Sequence, residues 1–221
     1  MKKITYPLHI ILRAALVDIF NIVLYGWRAP RYAELIWVKP EEVLLQYIGD
    51  SLKTGGVIDG DWDRRVIALR EKPKAKKIIR KLSSGCSWRE TGIYDRILTR
   101  IAEGKSMEGC ADLADIEKRY RKLDILIDTL RNNGKFKTRA EMGGFREFGG
   151  IQINIDRSGN PIFGQGGCHR LIIAQELKIP MIPAMLNTVH ESAIKSGSWL
   201  KYRSCTNGSA KRKSLTAQNC R

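Results

Sequence analysis

The stretch IQINIDRSGNPIFGQGGCHRLIIAQELKIPMIPAML, residues 151–186, decides the fold class of this chain. Residues 151–155 alternate isoleucine with polar side chains, which is the two-residue period of a half-buried strand. After a turn that contains glycine and proline, residues 162–163 begin a return strand. A helix is predicted over residues 169–178 and a last strand over residues 182–186. The stretch therefore predicts a sheet with a helix connecting its second and third strands.

One further helix precedes this stretch. Over residues 115–133, apolar residues recur at steps of four and three and form one stripe. The stripe consists of Ile116, Tyr120, Leu123, Ile127 and Leu130. Gly134 follows at the position where a left-handed C-terminal residue ends many helices. From residue 115 onward, the predicted order is helix, strand, strand, helix, strand.

The first half of the chain has mostly helical patterns. Helices are predicted over residues 8–27, 40–48 and 88–101, and one short strand is predicted over residues 35–38. We therefore expect three parts: a mostly helical N-terminal region (1–110), a mixed domain (111–192) and a basic, disordered tail (193–221).

The charge of the chain is strongly positive and unevenly placed. The 221 residues include 39 Lys and Arg against 23 Asp and Glu, a net charge of +16. Residues 64–81 hold nine basic side chains and one acidic side chain, and residues 195–221 hold seven basic and no acidic side chains. Such clusters favour a polyanionic partner, DNA before a membrane, although solvated lysine-rich faces give the same pattern. No aromatic residues interrupt the run 64–81, so base stacking on single strands is not indicated.

The cysteines and the apolar N-terminal segment bear on location. Five widely spaced cysteines form no metal-ligand pattern, which favours a reducing, cytoplasmic environment over a disulfide framework. The apolar segment over residues 8–27 is interrupted by His9, Arg13 and Asp18, and no cleavage site follows it. We expect this segment to be a buried or partner-facing helix, with no membrane contact.

The candidate functional motif is Gly166-Gly167-Cys168-His169-Arg170, here called the glycine turn. Two glycines let the backbone turn tightly and expose amide groups, and a helix N-terminus attracts anions. The same field is expected to favour the thiolate of Cys168. Arg170 offers a fork of donors that matches phosphate oxygens. The turn therefore predicts a phosphate site that contains a reactive cysteine.

The glycine turn and its surroundings resemble the active-site segment of the sulfiredoxins. The likeness continues through Gln175, Leu177 and residues 182–186 without a gap. Residues 126–131, Leu-Ile-Asp-Thr-Leu-Arg, are similar to the helix that sulfiredoxins and ParB N-terminal domains carry before their strand pair. The resemblance covers residues 115–190, and the whole chain resembles uncharacterised microbial ParB-like proteins. No helix-turn-helix pattern of a complete ParB follows residue 190.

The resemblance implies a ParB/sulfiredoxin-like α+β domain with a small mixed sheet. It implies that ATP or CTP binds at the glycine turn, accompanied by Mg²⁺. Cys168 would be the nucleophile, and the phosphates would be held by Gly166, Gly167, His169, Arg170 and Arg131. In sulfiredoxins, ATP phosphorylates a cysteine sulfinic acid of a peroxiredoxin and the enzyme's cysteine attacks the activated sulfur. ParB-like relatives lack the thiol and use the turn for CTP binding or, in some members, a proposed nuclease activity.

Several interpretations remain open at this point. The glycine turn could be a tight strand-to-helix connection with a buried cysteine. Asp61 and Asp63 could hold a divalent cation, but an acidic turn anchored by Trp62 is the more common arrangement. The functional hypotheses are nucleotide-dependent phosphoryl transfer, with sulfinic acid reduction as a special case, and a DNA-associated protein with a regulatory or vestigial nucleotide site. A third hypothesis is a protein that has lost the site and serves only in interactions.

Overall fold

A computed structural model describes residues 8–205, which form one mixed sheet with helices around it. The sheet has seven strands: β1 (Leu35–Val38), β2 (Leu45–Tyr47), β3 (Gly56–Ile58), β4 (Val66–Ala68), β5 (Ile151–Ile155), β6 (Pro161–Phe163) and β7 (Ile182–His190). Their order is β1-β7-β5-β6-β2-β4, and β3 also pairs with β7. The predicted α+β class is therefore confirmed.

Six α-helices accompany the sheet in the described residues: α1 (Leu8–Tyr25), α2 (Pro73–Ser84), α3 (Ile93–Ala102), α4 (Leu113–Asn133), α5 (Cys168–Glu176) and α6 (Glu191–Ser196). Short 3₁₀ turns connect several elements: Gly26–Arg28, Pro40–Glu42, Trp62–Arg64, Leu69–Glu71, Ala140–Met142 and Ser198–Arg203. All nine residues of β7 are buried, so this strand is the centre of the core.

Helix α4 follows its sequence pattern closely. The Asp112 carboxylate accepts a hydrogen bond from the Asp115 amide at 2.8 Å and caps the N-terminus. Gly134, with φ of +64°, ends the helix as predicted, and its amide donates to the Leu130 carbonyl at 2.8 Å. Four members of the predicted stripe are buried: Ile116, Tyr120, Ile127 and Leu130.

Helices α1, α2 and α3 lie in the N-terminal region as expected, but four short strands accompany them, of which only β1 was predicted. The helix predicted over residues 40–48 is a 3₁₀ turn followed by β2, which pairs with β4 and with β6. Strands β1 and β3 pair with β7. These strands have three or four residues each, and pairing with distant strands overrides the weak local helical pattern. The first and second predicted parts therefore share one sheet.

The described part of the predicted tail is ordered, which corrects that expectation for residues up to 205. Trp199 is fully buried and Tyr202 is 5% exposed, so both side chains anchor this segment in the core. Arg203 forms an ion pair with Glu34 at 2.6 Å. Burial of two large aromatic side chains outweighs the polar composition that suggested disorder. The predicted disorder of residues 206–221 concerns positions outside the described residues.

Candidate functional site

The glycine turn lies between β6 and α5, and its second glycine is required by the backbone. Gly167 has φ of +91°, a left-handed conformation that side chains disfavour. A Cβ atom at this position would lie 2.9 Å from the Cα atom of Ile151. The close approach holds the start of α5 against β5. The strand-to-helix connection predicted here is therefore present, one residue earlier than expected.

The amides of the turn are divided between internal bonds and the helix end. The Gly166 amide donates to the Gln152 side-chain oxygen at 3.0 Å, so it is occupied within the fold. The first hydrogen bond of α5 runs from the Leu171 amide to the Gly167 carbonyl at 3.1 Å. The amides of residues 168–170 precede this bond and are the amides that a helix leaves without internal partners. The positive end of the helix dipole lies at these residues.

A cavity of about 1160 Å³, here called the main cavity, opens beside the turn. One part of its wall is apolar and consists of Leu123, Leu126, Leu130, Phe136, Met142, Ile151 and Pro183. Another part is charged and contains seven basic and two acidic residues: Lys74, Arg119, Lys122, Lys135, Lys137, Arg139, Arg170, Glu108 and Glu147. Gly167, Cys168 and His169 also line it. An apolar wall with convergent polar groups is typical of small-molecule sites.

Two arginines meet at one carbonyl on the cavity wall. Arg170 Nη2 donates to the Gly149 carbonyl at 3.0 Å and to the Gly150 carbonyl at 3.2 Å. Arg139 Nη2 donates to the same Gly149 oxygen. Within residues 8–205, neither guanidinium forms an ion pair with a carboxylate, and the buried Nε of Arg139 has no hydrogen-bond partner. Burial, with a contribution from Arg139, lowers the pKa of Arg170 to about 10, so this guanidinium remains cationic at neutral pH.

Cys168 lies at the first position of α5 and is half-buried on the cavity wall. Burial raises the pKa of its thiol above the usual range, although Lys74 and Lys72 oppose this shift. Desolvation of the thiolate thus outweighs the favourable field of the helix end and the nearby lysines. The expectation that the thiolate is favoured at Cys168 is therefore corrected.

His169 belongs to a buried hydrogen-bonded chain of three side chains. The Tyr120 hydroxyl lies 3.2 Å from His169 Nε2 and 3.2 Å from Glu108 Oε2. Burial lowers the pKa of His169 to about 3, so its ring is neutral in the folded protein. If the hydroxyl donates to the carboxylate, it accepts from the imidazole, which assigns the Nε2–H tautomer to His169. A neutral histidine orients the chain but supplies no positive charge to an anion.

Glu108 connects this chain to the cations of the cavity. Its Oε1 lies 2.6 Å from Lys74 Nζ, and its Oε2 lies 2.9 Å from Arg119 Nε. Burial disfavours the charged carboxylate, but the cations Lys74 and Arg119 outweigh this effect and lower the pKa of Glu108. Glu108 also has φ of +59°, an uncommon conformation for a residue with a side chain. Strained backbone at a buried, charged position is a known feature of functional sites.

Arg131 lies apart from the other residues that the sequence predicted for the site. It lies on α4 but does not line the main cavity. Its guanidinium pairs loosely with Asp128 at 3.8 Å, and both side chains are more than half exposed. The cavity-facing positions of α4 recur at steps of three and four, and Arg131 lies off that row. Of the proposed phosphate ligands, Gly167, His169 and Arg170 line the cavity.

The acidic pair near Trp62 is bound by an arginine. Arg157 Nη2 lies 2.7 Å from Asp61 and 2.6 Å from Asp63, and its Nε donates to Asp63 at 2.9 Å. This arrangement matches the acidic turn and not the cation site. Among residues 8–205, no group of three or more His, Cys, Asp or Glu side chains is arranged to hold a metal ion.

The basic run 64–81 does not form a continuous basic surface. It folds into β4, a 3₁₀ turn and α2, and five of its nine basic side chains form ion pairs with carboxylates. The five are Arg64, Arg70, Lys74, Lys76 and Lys81. The ammonium group of Lys77 donates to the Thr91 carbonyl at 2.9 Å. Much of the local positive charge is therefore neutralised within the fold.

Sequence reasoning missed four charged residues of the cavity wall: Lys74, Glu108, Arg119 and Arg139. Lys74 was one of many lysines in the basic run, and Arg119 adjoined an apolar stripe. Glu108 stands before a glycine in a loop, and its neighbours in space lie 34 and 11 residues away. Lys74 alone offered a weak sequence signal, because it belongs to the basic run; it lies in α2, the helix that packs on α5.

Comparisons with models of protein families, with curated proteins and with solved structures find no match to this chain. The site is therefore interpreted from its own geometry.

Proposed function

We propose that the main cavity binds a nucleoside triphosphate, ATP or CTP, with its phosphates at the N-terminus of α5. The observation that supports this best is the Arg139 and Arg170 pair, which meets at the Gly149 carbonyl without a carboxylate partner among the described residues. The repulsion of Arg170 by Arg139 exceeds the attraction of Arg170 by Glu147, and a bound polyanion would relieve that repulsion. The planar fork of donors on each guanidinium matches the geometry of phosphate oxygens.

The division of the cavity wall supports a nucleotide over inorganic phosphate. Seven basic and two acidic side chains give the charged part of the wall a net positive charge. The apolar part contains Phe136 and leucines of α4, which suit the flat face of a base. A volume of about 1160 Å³ is slightly above the ~300–1,000 Å³ of most small-molecule sites, so a whole nucleotide has room.

Phosphoryl transfer is the reaction class that we infer for this arrangement. Arg139, Arg170 and the amides of residues 168–170 would stabilise charge on a transferred phosphate. Mg²⁺ would enter with the nucleotide and be held by its phosphate oxygens, since both oxygens of Glu108 are already bound by Lys74 and Arg119. Cys168 remains the candidate nucleophile of a sulfinic acid reductase-like reaction, although its raised thiol pKa favours a binding role for the turn.

The test compares nucleotide binding by matched arginine variants. Wild-type protein should gain thermal stability with ATP or CTP, tested with and without Mg²⁺, because a ligand that binds the folded state stabilises it. Arg170→Gln should weaken the measured affinity by about 10- to 100-fold, since one charge-assisted hydrogen bond contributes ~1.5–3 kcal/mol. Arg131→Gln, an exposed arginine outside the cavity, should leave the affinity unchanged. Equal losses in both variants, or no binding by the wild type, would refute the proposal.

Phosphate release measured in the same samples separates an enzyme from a binding protein. Turnover that is lost in Arg170→Gln supports phosphoryl transfer, and binding without turnover leaves a regulatory or vestigial site. Cys168→Ser should abolish sulfinic acid repair if the cysteine is the nucleophile. It should leave nucleotide affinity unchanged in either case.

DNA binding is the second candidate function, favoured by the net charge of +16. The ion pairs of the run 64–81 reduce the charge available to DNA in that region. A DNA-bound state predicts an affinity that falls steeply with salt. If no gel shift of DNA is seen at low salt at any protein concentration, this alternative is refuted. A cytoplasmic location stays a prediction that rests on the cysteines.

A further inference from the structure

We infer that α1 docks the protein onto an anionic lipid membrane, lying in the plane of the interface. The inference goes beyond nucleotide binding and departs from the sequence-based expectation of no membrane contact. It starts from the orientation of α1, whose inward stripe combines Ala14 with the polar anchors Asp18 and Asn21, while most of its large apolar side chains face solvent. An ordinary surface helix instead exposes a polar face to solvent.

The inward stripe of α1 is fixed by specific contacts. The buried Asn21 side chain donates to the Pro30 carbonyl at 2.8 Å and to the Gly55 carbonyl at 2.7 Å. Asp18 accepts from the Tyr32 amide at 2.7 Å and pairs with Arg146 at 2.6 Å. These bonds hold α1 against the body along one side, so the helix cannot leave without losing them.

The outward face of α1 and of the turn after it carries ten large apolar side chains. Their exposed fractions range from 43% to 78%. They are Leu8, Ile11, Leu12, Leu16, Ile19, Phe20, Ile22, Val23, Leu24 and Trp27. A continuous apolar face of this length marks an interaction site, whereas scattered exposed side chains do not.

The composition of this segment fits lipid. Leu8–Arg28 is the one helical segment within residues 8–205 that is long and apolar enough to cross a membrane, and few of its side chains are buried. Asp18 and Asn21 bind α1 to the protein body, so lipid cannot surround the helix on all sides while these contacts are kept. The outer face can therefore enter the boundary between headgroups and acyl chains, as in-plane helices do.

The charges around α1 favour anionic lipid over a second copy of the chain. Arg28 and Arg31 follow the helix directly, and Arg28 Nη1 donates to the Lys195 carbonyl at 2.6 Å. Arg203 Nη1 donates to the Trp27 carbonyl at 3.0 Å, so a third arginine lies beside the end of α1. Cations next to an apolar face attract anionic headgroups. Two copies that each carry a charge of +16 repel each other.

The test is flotation of the full chain with vesicles of two compositions. Wild-type protein should float with vesicles of equimolar phosphatidylcholine and phosphatidylserine and bind vesicles of phosphatidylcholine alone at least about tenfold more weakly. The double variant Leu16→Glu with Phe20→Glu should lose binding by about tenfold or more, because two exposed apolar contacts become charged. Ile125→Glu, at a 61% exposed position on α4, is the matched control and should bind as the wild type does.

The remaining outcomes overturn the inference. Absence of binding to anionic vesicles, or equal binding to both vesicle types, contradicts docking on anionic lipid. Equal loss in the Ile125→Glu control contradicts the role of α1. If the wild type does not bind vesicles but forms a dimer in lipid-free buffer, and the double variant is a monomer, the apolar face binds a second copy of the chain instead. Circular dichroism establishes that the variants remain folded, and nucleotide binding by the double variant separates this test from that of the main cavity.

Discussion

Replacing Glu108 by Gln should destabilise the protein while strengthening its binding of nucleotide. The carboxylate is 6% exposed and contacts Lys74 at 2.6 Å and Arg119 at 2.9 Å. Loss of the charge removes two charge-assisted contacts of ~1.5–3 kcal/mol each, but it also removes the cost of burying a carboxylate. Lys74 and Arg119 are 24% and 40% exposed, so water can solvate them in the variant. We expect unfolding to become easier by about 2 kcal/mol, less than for a fully buried pair.

The effect on binding has the opposite sign. Removing one negative charge from the cavity wall leaves Lys74 and Arg119 free to contact phosphate, and an affinity gain of about tenfold corresponds to ~1.4 kcal/mol. Urea denaturation measures the stability and isothermal calorimetry measures the affinity for ATP or CTP. Glu117→Gln, an exposed position on the same helix as Arg119, should change neither. A variant in which affinity falls together with stability would refute the assignment of the two cations to the anion site.

Three further predictions concern the glycine turn and its neighbours. Gly167→Ala should cost about 2–3 kcal/mol of stability because φ is +91° and a Cβ would approach Ile151. Gly60→Ala, with φ of +87° and open space, should cost only ~1 kcal/mol, and equal losses would contradict the close approach. Burial raises the pKa of the Cys168 thiol, so iodoacetamide should label it more slowly than the exposed Cys205 at neutral pH. Equal labelling rates of Cys168 and Cys205, measured by mass spectrometry, would contradict the raised pKa of the Cys168 thiol. Burial lowers the pKa of His169 to about 3, so its contribution to stability is present above pH 6.5 and is lost as the pH falls toward 3. Urea denaturation of His169→Asn should show a shallower decline over that range, and an unchanged pH slope would contradict the neutral assignment.

The parts of the fold that the sequence predicts well are those with local signals. Helix α4 has a long apolar stripe, an aspartate cap and a final glycine, and the alternation of β5 predicted a strand. The half-buried character expected of β5 is wrong at Asn154, which is buried and accepts a hydrogen bond from Asn187 at 2.9 Å. By contrast, β2 has three residues and pairs with β6, whose residues lie more than 110 positions away. Such pairing depends on the whole sheet, and no local pattern contains it.

The candidate site shows the same division. Gly167 and Arg170 could be found because the turn residues adjoin one another in the sequence. Arg139 could not, because it reaches Gly149 within a long loop of irregular structure. The thiol of Cys168 could not be judged either, since the desolvation that raises its pKa comes from the packing around α5. The sequence therefore predicts where a site residue lies more readily than it predicts the pKa of its side chain.

Amide and guanidinium NMR spectra recorded during a nucleotide titration test the central claim most directly. If ATP or CTP binds in the main cavity, the largest shifts should fall on the amides of residues 168–170 and on the side-chain Nε signals of Arg139 and Arg170. Shifts confined to α1 or to residues 64–81, or no shifts at saturating nucleotide, would contradict a phosphate site at this turn.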